Sequence, residues 1–169
     1  MTKQKNTSVI YLTNSIENEK FETQIRKQLR ESSGDLPIIS VSRKPIKFGK
    51  NIYVGKAPLC RSSYLKMLLK GLEEAKTKYA VVAEADCLYP PEYFSFIPPE
   101  NNLAYHYGNV WTLKDRFWKK RFLDGALTCN REYWIKMIKT ALKGQKGWEV
   151  FDAPAVFPKT DTVSWNPKN

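Results

Sequence analysis

Apolar residues along the chain fall into two patterns: short β-branched runs, and stretches in which they return every three or four positions. Ser8-Val-Ile-Tyr-Leu-Thr13 belongs to the first kind and is punctuated by Thr13-Asn14-Ser15, which predicts a buried opening strand. Phe21, Ile25 and Leu29 share one helical face, and Asn14 and Glu17 have capping-box spacing, so a helix is expected over roughly 15–31. Gly34-Asp35 breaks that pattern. Leu36-Pro-Ile-Ile-Ser-Val-Ser42 then reads as a second strand, with Pro37 tolerable at its start, and the β-α-β order favours a parallel pair.

Residues 43–58 show no sustained period and carry two glycines, two prolines and five Lys/Arg, the composition of a long basic loop. Tyr64, Leu65, Leu68, Leu69, Leu72 and Ala75 restore helical spacing over about 61–76. Tyr79-Ala-Val-Val-Ala83 is a third buried strand, and Pro90-Pro91 forbids its continuation as a central one. Leu103–Tyr107 and Gly125–Cys129 are further strand candidates. Asn130 stands where it can cap a helix bearing Tyr133, Trp134, Met137, Ile138 and Leu142. After Gly147 the pattern is irregular. Strands alternating with helices predict an α/β sheet with helices on its faces, whose ligands bind where the strands end.

The length of 169 residues, with 42% hydrophobic and 13% aromatic content, fits one domain over 1–169 with a sizeable core. No apolar run approaches the roughly 20 residues of a membrane span, and the basic N-terminus leads into a strand rather than a secretion-signal core. Cys60, Cys87 and Cys129 are odd in number and widely spaced, which suggests neither a zinc knuckle nor a disulfide framework and fits a reducing cytoplasm.

The net charge of +11 points to anionic partners, and its distribution adds detail. Residues 1–56 hold 11 basic and 5 acidic side chains, 57–100 hold 5 and 6, and 101–169 hold 12 and 6. An acidic centre thus lies between two basic flanks. Within it, Glu84 and Asp86 stand two apart at a strand end, so their side chains are expected on one face. Two facing carboxylates repel unless a hard divalent ion such as Mg²⁺ or Mn²⁺ accepts both, and a diphosphate completes such an ion's shell. The plainer alternative is a solvated strand end before a turn.

In order and content, residues 7–143 resemble the GT-A fold nucleotide-diphospho-sugar glycosyltransferases, particularly the family 2-like group. Ser8 to Asn14 looks like the family's opening strand and nucleotide-contacting turn. Arg61 through Ala75 occupies the place of its Arg/Asn-bearing helix. Ala75 through Phe94 is similar to the segment ending in the metal-binding D-x-D, here with Glu in the first acidic position. Gly125 to Arg131 resembles the acceptor-side strand.

The resemblance implies a GT-A, Rossmann-like mixed sheet flanked by helices. It also implies sugar transfer from a nucleotide-sugar donor, a UDP-sugar foremost, with Mn²⁺ or Mg²⁺ held by Asp86 and Glu84 supporting the metal or the ribose. Thr13 and Asn14 fall at the donor turn. Members of this fold are generally longer, and Trp165-Asn-Pro-Lys-Asn169 reads as mid-domain.

Diphosphate departure accumulates negative charge, which a metal and nearby cations stabilise. Arg43, Lys44, Lys56 and Arg61 are therefore candidate donor contacts, each also readable as a surface charge. An inverting transfer needs a general base, for which Glu149, Asp152 and Asp124 are the candidates. His106, between Tyr105 and Tyr107, reads as structural, and Trp111 is either a pocket wall or a core residue.

Lys114-Asp-Arg-Phe-Trp-Lys-Lys-Arg121 interleaves aromatics with five cations and can neutralise phosphates and stack on bases. That makes a modified base in DNA a candidate acceptor, as in a small phage-type enzyme. The competing class is a non-catalytic basic nucleic-acid-binding module. A nucleotidyltransferase on a similar sheet would show a Gly-rich loop with Lys after the first strand, which this chain lacks.

Overall fold

The computed structural model describes residues 6–113, 117–120, 125–145, 147–150, 155–157 and 162–167. They form nine strands and four helices: β1 (Thr7–Thr13), α1 (Glu19–Ser33), β2 (Ile38–Ser42), β3 (Lys50–Tyr53), α2 (Arg61–Glu74), β4 (Tyr79–Glu84), α3 (Pro91–Ser95), β5 (Ala104–Tyr107), β6 (Val110–Leu113), β7 (Phe117–Lys120), β8 (Leu127–Asn130), α4 (Arg131–Leu142) and β9 (Thr162–Trp165).

Seven strands make one sheet in the order β3-β2-β1-β4-β8-β5-β9, and β6 pairs with β7 in a separate ribbon. The first four strands are mutually parallel. β8 runs against both β4 and β5, which leaves β5 and β9 pointing the same way as β4. Parallel strands joined through helices are buried on both faces, which is why β1, β2 and β4 are continuous apolar runs.

Alternate residues of those runs feed two cores. Ile10, Leu12, Ile39, Val41, Ala80 and Val82 face α2 and α4, where Leu68, Leu72, Trp134 and Ile138 close over them. Val9, Tyr11, Ile38, Val81 and Ala83 face the other way, onto Leu29 of α1 and Tyr93 and Phe94 of α3. Each fully buried side chain of this size contributes about 1.5–3 kcal/mol. Helix α2 lies so close to the sheet that a Cβ on Gly71 would meet the Ile10 Cγ2 at 2.4 Å.

Five local expectations are corrected. Helix α1 begins later than 15, because Asn18 rather than Asn14 caps it, its Oδ1 accepting from the N–H groups of Lys20 and Phe21 at 3.0 and 3.3 Å. Phe21 is exposed, and Glu22 takes the inward place, accepting from the Tyr11 hydroxyl at 3.0 Å beside Arg26 at 3.5 Å. That partnering is what lets a carboxylate sit 2% exposed. The basic stretch 43–58 contains edge strand β3, held by Asn51, whose Nδ2 donates to the hydroxyls of Ser40 and Ser42. The irregular tail supplies β9, paired with β5, and part of the basic aromatic segment is β7.

Candidate functional site

The register that sets Leu12 opposite Glu84 brings the ends of β1 and β4 side by side. Chain leaving β1 therefore meets chain leaving β4 at the carboxyl edge of the parallel strands. The β1 exit is a tight turn: Thr13 Oγ1 accepts from the Ser15 N–H at 2.9 Å, and Ser15 Oγ accepts from the Lys44 N–H at 3.2 Å. Ser15 holds a positive φ of 53°. For a residue other than glycine this costs about 1–3 kcal/mol, a strain that persists where neighbours over-determine it.

Between the two exits is an open cavity of about 190 Å³. Leu12, Ile16, Tyr64 and Met67 form its apolar wall, Thr13 and Asn14 supply hydrogen-bonding groups, and Glu17, Glu84 and Asp86 make it acidic. Among the described residues that line it there is no lysine or arginine.

Glu84 is half-buried at the end of β4, and Asp86 is exposed in the turn that follows. The Cys87 thiol donates to Asp86 Oδ1 at 3.4 Å. One ligand atom from each of Glu84, Asp86 and Cys87 lies within 4.8 Å of the others. Burial, then the charges of Asp86 and Glu84, pushes the Cys87 thiol up to about 12. Two hard oxygens with a borderline sulfur beside them fit a divalent ion such as Mn²⁺ or Mg²⁺ through the carboxylates.

The carboxylate of Glu84 is placed by its surroundings. It lies against Gly125, where a Cβ would come within 2.4 Å of its Cδ, so a larger residue there would displace the carboxylate. The Tyr89 hydroxyl donates to the Gly125 carbonyl at 2.6 Å and accepts from the Glu84 N–H at 2.9 Å. Tyr89 itself is buried, stacked on Tyr93 with ring centroids 4.9 Å apart, and burial raises its hydroxyl well above the usual range.

The basic candidates lie elsewhere around this edge. Arg43 donates to the Pro58 carbonyl and braces its own loop, and burial lowers its guanidinium. Lys44 and Lys56 are exposed, and Arg61 opens α2 from an exposed position. Cys60 stands at the N-cap position of that helix, its Sγ 3.1 and 3.3 Å from the Ser62 and Ser63 hydroxyls, whose hydrogen bonds bring its thiol down to about 7.

Glu149 is 62% exposed and pairs with Lys66 Nζ at 3.5 Å, while its carbonyl accepts from Ser62 Oγ at 3.1 Å. Ser62 and Lys66 occupy a different face of α2 from Tyr64 and Met67, so Glu149 does not line the cavity. Asp124 and Asp152 lie outside the described residues. His106 is half-buried on β5, and Trp111 is exposed rather than core.

Glu17, expected as a capping partner, lines the cavity instead, and so do Tyr64 and Met67, whose apolar spacing does not distinguish a pocket wall from core. Cys87 carried a usable signal in its adjacency to Asp86.

No family model matches the chain, and no curated protein matches it. Solved structures do. A glycosyltransferase involved in the glycosylation of the major capsid of PBCV-1 superposes with a TM-score of 0.56 at 12% identity, over 95% of this chain and 82% of the other. The bifunctional IspDF of Campylobacter jejuni gives 0.54 at 14% identity, over 97% and 50%. The catalytic domain of Drosophila β1,4-galactosyltransferase 7, in complex with xylobiose, gives 0.51 at 13% identity, over 79% and 52%. The chain thus spans about half the length of the latter two. These likenesses establish the fold, a GT-A, Rossmann-like mixed α/β sheet flanked by helices.

Proposed function

We propose that this protein is a metal-dependent glycosyltransferase that moves a sugar from a nucleotide diphosphate donor, a UDP-sugar foremost, to an acceptor hydroxyl. The observation that carries this reading is the convergence of Glu84 and Asp86 with the Thr13-Asn14 turn on one cavity at the carboxyl edge of a GT-A-like sheet.

Asp86, with Glu84 beside it, is the assigned holder of Mn²⁺ or Mg²⁺, which when bound supplies positive charge to a departing diphosphate. Among the described residues that line the cavity none is lysine or arginine, so that cation would offset the phosphates from within it. Tyr64 and Met67 offer apolar surface to a nucleobase, and Asn14 and Thr13 offer polar contacts to its ribose. Arg43, Lys44, Lys56 and Arg61 are assigned to the outer phosphate side. Glu149, Asp152 and Asp124 remain the candidate general bases; Glu149 would have to exchange its Lys66 partner for the acceptor. A hydroxyl on a modified base in DNA is the acceptor this reading favours, on the strength of the basic charge over 101–169.

Calorimetric titration with UDP, GDP, ADP and CDP, with and without Mn²⁺, tests the donor side. Mn²⁺-dependent binding is expected for one of them, and Asp86→Asn is expected to weaken it about tenfold or more, equivalent to about 1.4 kcal/mol. Equal binding by wild type and variant, with metal and without, would falsify the transferase reading. The second reading, a non-catalytic nucleic-acid-binding module, is favoured by one observation: two exposed tryptophans and a lysine on the β6–β7 ribbon.

A further inference from the structure

The ribbon rises from the same edge of the sheet as the acidic cavity. Strand β5 runs parallel to β4, so Tyr107 ends level with Ala83, one residue before Glu84. The chain leaves there through Gly108 and Asn109, forms β6 and β7, and is back at Gly125, against the Glu84 carboxylate. Val110, 8% exposed, anchors the ribbon's base in the core that also holds Ala85 and Ala126.

Register sorts the ribbon's side chains. Val110 is opposite Lys120, Trp111 opposite Lys119, and Thr112 opposite Trp118. Directly opposed residues share a face and successive ones alternate. Trp111 and Lys119 therefore occupy one face, and Trp118 the other, with Val110.

Trp111 is 54% exposed, yet its indole is fixed: Nε1 donates to Asn109 Oδ1 at 3.0 Å, and Lys119 Nζ lies 5.4 Å from the ring centroid. With its one donor already satisfied, the ring offers a partner its π surface, and the ammonium beside it offers charge.

We propose that this face docks an unpaired strand of nucleic acid, DNA or RNA, with a base stacked on Trp111 and a phosphate against Lys119. The five cations among residues 114–121, against the single acidic Asp115, supply the complementary charge. An intact duplex keeps its base faces stacked inside, so the ribbon prefers single strands. A neutral saccharide stacks on indole but gains nothing from the lysine. The inference deepens the acceptor side of the proposed transfer and rests on that reading for its role, while the binding itself is measured without nucleotide or metal.

Fluorescence anisotropy of labelled oligo-dT, oligo-rU and a matched DNA duplex over a salt series tests it. Single strands are expected to bind more tightly than the duplex, and the two homopolymers distinguish DNA from RNA. Trp111→Ala lowers single-strand affinity by about 5- to 150-fold, and Trp111→Phe restores part of the loss. Lys119→Ala lowers the magnitude of the log–log salt slope by about 0.7. Trp118→Ala, on the other face, leaves affinity within about twofold.

Equal binding of duplex and single strand, or unchanged affinity in Trp111→Ala with circular dichroism confirming the fold, overturns the proposal. So does equal loss in the Trp118 variant. A failure here leaves Mn²⁺-dependent nucleotide binding untouched, and a failure of the nucleotide titration leaves strand binding as the mark of the alternative module.

Discussion

The half-sheet β3-β2-β1-β4 and the β6–β7 ribbon use aromatic residues to opposite ends. In the first, Tyr11 is fully buried between strand and helix, and Trp134 of α4 is 1% exposed above the neighbouring strands. In the second, Trp111 and Trp118 stand 54% and 48% exposed on a ribbon outside the main sheet. The frame spends its apolar surface on holding strand ends in register, and so on aiming Glu84 at the cavity. The ribbon keeps its indoles at the surface instead.

The sharpest way to break that contrast is to remove the two kinds of indole separately. Trp134→Ala is expected to cost about 3–5 kcal/mol in urea denaturation, the loss of a large core side chain and the cavity left behind. Tyr89→Phe comes next, at about 1–3 kcal/mol, because it strands the buried Glu84 N–H and Gly125 carbonyl that the hydroxyl bridges. Calorimetric Mn²⁺ affinity is expected to fall with it, since the bridge sets the distance between Gly125 and the Glu84 backbone. Undiminished stability and Mn²⁺ binding in that variant would show the bridge to be dispensable. Trp111→Ala closes the series, with a stability change inside about 0.5 kcal/mol. A loss as large as that of Trp134 would mean the ribbon belongs to the frame after all.

The two regions also differ in how far they could be read from sequence. Strands β1, β2 and β4 were legible because burial on both faces forces unbroken apolar runs, as in Val81-Val82-Ala83. Edge strand β3 was not, because one solvated side lets Lys50 and Asn51 stand in it. The start of α1 was misplaced because Asn14 and Asn18 are equally good caps by type, and only the turn fixed by Thr13 and Ser15 decides between them. Strands β7 and β9 are no shorter than β5 and β8, but Lys119 and Lys120 in the one and Thr162 and Ser164 in the other break up the apolar run that marks a strand. At the site, the carboxylates were legible from their spacing at a strand end. Tyr89 was not, because its role depends on Gly125, far along the chain.

The thiols sharpen the contrast in another currency. Hydrogen bonds from Ser62 and Ser63 hold Cys60 near 7, whereas burial and two carboxylates push Cys87 up to about 12. The reactive species is the thiolate, so alkylation by iodoacetamide is expected to rise between pH 6 and 8 at Cys60, while Cys87 stays inert. Peptide mass mapping of the alkylated protein reads this directly. Faster modification of Cys87 than of Cys60 across that range would refute the assignment.

Strand β8 carries a consequence for the order in which the molecule assembles. It is the antiparallel strand wedged between β4 and β5, yet it follows both in sequence, so that Tyr79 must wait for Asn130. Strands β1 to β4 can pair as soon as they are synthesised. The outer edge of β4, with Ala80 and Val81 on it, then faces water with its ladder unmade until the later strand arrives. Because closing so long a loop precedes any reward in contacts, this insertion is the slow step expected in refolding. During that interval the β4 edge is the place where a second, half-made chain can add itself instead.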